Sequence, residues 1–265
     1  MTFQLLETIA YRAPLGVLFC DSVTGAPVAD DLVVTAWRAG DPGGARRPVR
    51  SPLSANMVFG SLPGLAASEE ALAAAGGQPG LGSSSPVPCV IRVLDPDGRF
   101  LPALLAVIAP ATALLSPLLF PAPTYPRPSG WAMVSGEVWS AGVPAGWSVV
   151  EVQAGSVTYA TVSDGQGRYV LYLPFPEALP PLTGSPPGGG GPLDQITWPL
   201  TVSVRFQPSA QQRLADAVTA DPPEQASLLA QAAAMLVTGG GATATLAATL
   251  TFGVPLMLML QVVPA

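Results

Sequence analysis

No histidine and no lysine occur anywhere in this 265-residue sequence, whose 11 basic residues are all arginine. Without an imidazole there is no base for a Ser/His or Cys/His nucleophile, and without a lysine amine neither Schiff-base chemistry nor a Walker-type phosphate loop can be assembled. Charge of either sign is scarce: Asp, Glu and Arg make up 11% of the chain, against roughly 25% charged residues in average soluble proteins. Much of the surface must therefore be apolar, small or covered by a partner. The net charge is -6, and only Arg46, Arg47 and Arg50 stand close together. That leaves no basic stripe to neutralise phosphates, so nucleic acid is not expected as a partner. The 2 cysteines fall far short of a four-ligand zinc set. Cys20 and Cys89 both lie in apolar strand-like runs, where a thiol serves as a small buried hydrophobe, and whether they pair is open.

Carboxylates are the one catalytic resource left, since a glycosidase needs only a pair of them across a cleft. Of the 17, Asp95 and Asp97 fall in a tight turn, Asp164 in a second turn, and Glu69 and Glu70 at the start of a helix candidate. Turn and cap chemistry accounts for these without a site. No catalytic residue, cofactor or metal ligand is expected.

What the sequence does have is 49% apolar residues, enough for a core in each of two domains of ordinary size. β-Branched and aromatic runs predict strands at 16–20, 32–37, 57–62, 89–93 and 99–108, with Asp95-Pro96-Asp97-Gly98 as a turn between the last two. An insertion at 66–86 holds a short helix candidate, Ser68 to Ala75, capped by Ser68 and stopped by Gly76-Gly77. The proline-rich, charge-poor stretch 113–130 reads as an extended inter-domain segment dividing a first domain, 1–112, from a second, 131–265. In the second, strands are predicted at 133–139, 147–152, 157–162 and 168–173, with Asp164-Gly165-Gln166-Gly167 as a hairpin turn. A low-complexity loop follows at 174–192, then strands near 196–206 and 242–262 flanking a helix near 222–235.

From Gln225 to Ala265 there is no charged residue, a run longer than a membrane span requires. The three glycines 239–241, Pro255 and the alternating Thr243-Ala244-Thr245-Leu246 argue instead for β-structure, so membrane insertion is disfavoured. The N-terminus carries Glu7 and lacks the basic and apolar regions of a secretory signal.

The two halves repeat one order. Gly25-Ala26-Pro27 followed by Val33 recurs 117 positions later as Gly142-Val143-Pro144 followed by Val150, and Leu62-Pro63 recurs 111 positions later as Leu173-Pro174. This supports two copies of one β-sandwich. The segment Val134 to Pro174, with Gly136-Glu137-Val138, Gly142-Val143-Pro144 and Ser163-Asp164-Gly165-Gln166-Gly167-Arg168-Tyr169, resembles a carboxypeptidase regulatory-like domain. That resemblance implies a non-catalytic module with a transthyretin-like sandwich. The fold expected is all-β: two tandem transthyretin/immunoglobulin-like β-sandwiches with short helical insertions. Over more of the chain, Asp21 to Val28, Leu62-Pro63-Gly64-Leu65, Asp97-Gly98-Arg99-Phe100-Leu101-Pro102 and Phe120 to Pro126 are similar in order to small proteins of contractile, phage-tail-like injection gene clusters. The insertion at 66–86 departs from that family's short loop. The resemblance implies a structural subunit assembled in the cytoplasm, released as part of an extracellular particle, with other subunits as partners and a tendency to self-associate. Trp131, Trp139, Trp147, Tyr159 and Trp198 concentrate the aromatics in the second domain and form the candidate interaction surface. The same rings would suit a carbohydrate-binding or adhesive module, which is the alternative.

Overall fold

The computed structural model describes residues 14–28, 30–51, 54–62, 86–175, 196–218 and 221–265. It is 50% strand and 5% helix, so the chain is all-β. Most of the insertion, including its helix candidate at Ser68 to Ala75, and most of the loop 174–192 lie outside the described residues.

In the N-terminal half, β1 (Leu15–Val17), β5 (Met57–Phe59) and β4 (Val49–Arg50) form one sheet, and β3 (Val33–Arg38), β6 (Val87–Leu94) and β7 (Ala103–Ala109) form another. Leu15, Val17, Phe59, Ile91 and Val93 meet in one buried cluster. The period of two in β6 sends Val87, Cys89, Ile91 and Val93 into it, as alternating side chains on a strand must. The turn before β7 is held as its chemistry dictates. Asp95 accepts backbone N–H bonds from Arg99 at 2.7 Å and Phe100 at 3.1 Å, and Gly98 takes the left-handed φ of 68°.

The segment 113–130 is extended but is no free connector. β2 (Cys20–Asp21) pairs in parallel with β8 (Leu118–Leu119), and Leu18 and Cys20 donate to the carbonyls of Leu115 and Pro117. Its prolines suit it to this edge position, where the chain gives up carbonyls and has fewer amides to satisfy.

In the C-terminal half, β9 (Trp131–Ser140) is flanked on one side by β13 (Arg168–Pro174) and the short β10 (Val143–Pro144). On its other side lies β18 (Leu256–Val263), in parallel, followed by β15 (Met235–Thr238) and β16 (Gly241–Thr243). The second sheet runs β12 (Val157–Val162), β11 (Val149–Ala154), β14 (Thr197–Arg205), β17 (Leu246–Thr251). Val134, Val138 and Leu260 of the first sheet and Val150, Val202 and Leu250 of the second are buried in one cluster.

Three expectations need correction. Asp164 to Gly167 is not a hairpin turn: β12 pairs with β11 while β13 pairs with β9, so the loop is a corner between sheets. Its Asp164 carboxylate accepts from the amides of Gln166 and Arg168 at 2.8 and 2.9 Å, which fixes the bend whatever the strands do next. The helix near 222–235 shrinks to α1 (Gln225–Leu229), N-capped by Glu224, whose carboxylate accepts from the Ser227 amide at 2.7 Å. Beyond it, the amides of Ala234 and Phe206 bond across the chain to the carbonyls of Val204 and Ala232, and sheet pairing takes over from helix propensity. The strand 242–262 is divided among the end of β16, β17 and β18, with the last break at Gly253, φ 73°, and Pro255, and β17 enters a different sheet from β16 and β18.

Candidate functional site

Between β14 and β15 the chain leaves its own half and lies across the N-terminal one. Leu214 and Ala217 pack on Trp37, Val90 and Leu104, the outward side chains of β3, β6 and β7. Asp221, its side chain 4% exposed, pairs with Arg92 at 2.6 Å, and Asp216 accepts from the Gly40 amide at 2.6 Å. Leu228 of α1 joins Leu101, Phe120, Val149 and Val162 in a cluster that seals the seam, and Gln225 donates to the Leu118 carbonyl at 2.6 Å. Tyr172 donates to the Tyr125 carbonyl at 3.0 Å, and Tyr125 in turn to the Asp21 carboxylate at 2.6 Å. Burial first, and then that bond to Asp21, push the Tyr125 hydroxyl well above its usual range.

The five aromatic side chains do not form one surface. Trp198 is 5% exposed in the core, its ring 5.2 Å from Phe175, which corrects the expectation that it is available to a partner. Its position follows from period two along β14, which carries Trp198, Leu200, Val202 and Val204 inward together. Tyr159 packs against the same core from the edge strand β12, and Trp147, at φ 63°, packs on the seam cluster. Trp131 and Trp139 do share the outer face of β9, half-buried, with the Trp139 indole donating to Glu137 at 2.9 Å. They stand eight residues apart, roughly 26 Å along the strand at about 3.3 Å per residue.

Of the carboxylates named as catalytic candidates within the described residues, Asp95 and Asp164 are engaged in their turns, while Asp97 is exposed and lies 3.9 Å from Arg99. Asp95 also pairs with Arg99 at 3.1 Å, and Asp164 with Arg168 at 2.7 Å. Burial pushes the Asp95 carboxyl up, but the Arg99 guanidinium and the two amides outweigh it and hold the group below the usual carboxylate range. Cys20 and Cys89 are both free thiols, and burial raises that of Cys89.

A group of exposed apolar side chains lies on the same outer sheet face, on β18 and β15. Met257 is 77% exposed and Met259 67%, with Val263, Met235 and Val237 beside them. Aromatic composition touched this group only at Trp139, which stands in register with Gln261. Its signal was the strict Leu/Met alternation within the uncharged tail, one face for the core and one left over.

Comparison with protein-family models, with curated proteins and with solved structures finds no match to this chain. Among the described residues no helix is long and apolar enough to cross a membrane.

Proposed function

We propose that this chain is a non-enzymatic structural accessory subunit of a contractile, phage-tail-like injection particle, built as two tandem transthyretin-like β-sandwiches that act through protein–protein contacts. The observation that carries the reading is the group of exposed apolar side chains on β18 and β15, Met257 and Met259 foremost, because exposed apolar side chains gathered on one face of a folded protein mark a place where something binds. The engagement of Asp95 and Asp164 in turn geometry supports a structural over a hydrolytic role. So does the packed seam, which gives the two halves a fixed relation suited to bridging neighbours. The carbohydrate alternative has less support: sugar stacking needs adjacent open rings, whereas Trp198 is core and Trp131 and Trp139 are far apart.

The experiment is purification of phage-tail-like particles from producing cells with and without the gene. The chain should be present in the intact particle in fixed proportion, and its deletion should leave particles incomplete or absent. Particles that form, contract and contain no trace of the chain would remove the proposal.

A further inference from the structure

Strand β18 is fully paired on one side only. Against β9 it runs in parallel register from Leu256 to Val262, while on the other side, among the described residues, β15 reaches only Val262 and Val263. From Leu256 to Gln261 no described residue forms a ladder pair with that side, and an unpaired strand edge of this kind is a template for an incoming strand. The window has defined ends. Pro255 has no N–H to give, and at Val262 the edge is already occupied.

The sequence of the window, Leu256-Met257-Leu258-Met259-Leu260, reads the same in both directions. Its leucines point inward: Leu260 is buried, and Leu256 and Leu258 pack half-buried against the core cluster. Its methionines point outward. An antiparallel copy related by a twofold axis at Leu258 sets Leu256 opposite Leu260 of the second copy, and Met257 opposite Met259. The leucines then continue the apolar layer that stops at this edge, and the methionines form one uninterrupted strip. Edge strands that avoid such pairing carry a lysine, a proline or an inward charge. Leu256 to Gln261 carries none, and the charge nearest in register is Glu137, on the far side of Met259 on β9.

We propose that this edge pairs antiparallel with the same edge of a second copy, making a twofold dimer with one sheet running through both subunits. The proposal stands independently of the particle reading.

Sedimentation equilibrium of the full chain tests it. The expected mass is twice 26.9 kDa. The double variant Met257→Lys, Met259→Lys sets lysine opposite lysine at both outer pairs, on a face exposed enough for the fold to tolerate it, and should halve the mass with an unchanged circular dichroism spectrum. Val157→Lys, on an exposed position of β12, should leave the dimer intact. A monomeric wild type overturns the proposal, as does an assembly that keeps its mass with both lysines. If the lysine variant fails to fold, the double variant Met257→Cys, Met259→Cys decides. Antiparallel partners lie within disulfide reach, so mild oxidation should give a covalent dimer, and a product no more cross-linked than Val157→Cys overturns the pairing.

Discussion

Gly136→Ala should be among the most damaging single-methyl substitutions available in this chain. Gly136 sits in the middle of β9 at φ 157°, and a Cβ there would fall 1.8 Å from the Leu258 carbonyl oxygen and 2.7 Å from its carbon. Ordinary contact at a Cβ begins near 3.4 Å, so β9 and β18 would have to part by about 1.5 Å. Backbone N–H···O bonds fail beyond about 3.2 Å, which takes the ladder bonds on either side out of range at a net ~1 kcal/mol each. The strained φ adds ~1–2 kcal/mol for a residue with a side chain. The Tyr169 hydroxyl, lying across the glycine to reach the Leu258 oxygen at 3.4 Å, would also lose its place. The sum is about 3–4 kcal/mol, or a urea midpoint lowered by roughly 1.5–2 M at a typical slope of about 2 kcal/mol per molar. Urea unfolding followed by tryptophan fluorescence reads this directly, since Trp198 is in the core that β18 closes. Gly142→Ala is the control, because Gly142 has φ 79° and nothing within 4 Å of the added carbon, leaving only the strain of ~1 kcal/mol. Equal losses for the two variants would refute the argument from close approach.

Leu228→Ala should cost ~3 kcal/mol by opening a cavity among Leu101, Phe120 and Val149, measured as a lowered unfolding midpoint; a loss under ~1 kcal/mol would mean that the seam closes over the gap. Asp95 is held below its usual carboxylate range in the folded chain, so its stabilisation is complete above the unfolded value of about 3.9 and is lost as pH falls through the folded one. Asp95→Asn should therefore be less stable at neutral pH and show a flatter acid limb below about pH 4, and two superimposable acid limbs would contradict the assignment. Asp221→Ala should destabilise by ~2 kcal/mol, because it strands the partly exposed Arg92 guanidinium under the crossing segment, an effect absent if the ion pair is merely superficial. Purified protein should show no turnover of ester, peptide or glycosidic substrates; turnover that disappears on replacing one Asp or Glu would overturn the non-enzymatic reading.

Strand identity was legible where the information is local. The period-two runs of β6 and β9, the continuously apolar run of β13 and the Asp-Gly chemistry at Asp95 to Gly98 depend on residues within a few positions of one another, and there the sequence by itself determined the element. The absence of histidine and lysine likewise bounded the chemistry without any structure. Pairing was another matter. Whether β12 and β13 form a hairpin or part at a corner depends on competition from β11 and β9, and nothing within Asp164 to Gly167 encodes which wins. The parallel docking of β18 on β9 joins residues 122 apart, so the local Leu/Met alternation marks two faces of β18 but not the sheet that leaves its methionines at the surface. The aromatic candidates divided for the same reason. A tryptophan has the same composition value in the core as on a face, and only the sheet that its strand joins decides whether, like Trp198, it is buried or, like Trp139, meets solvent.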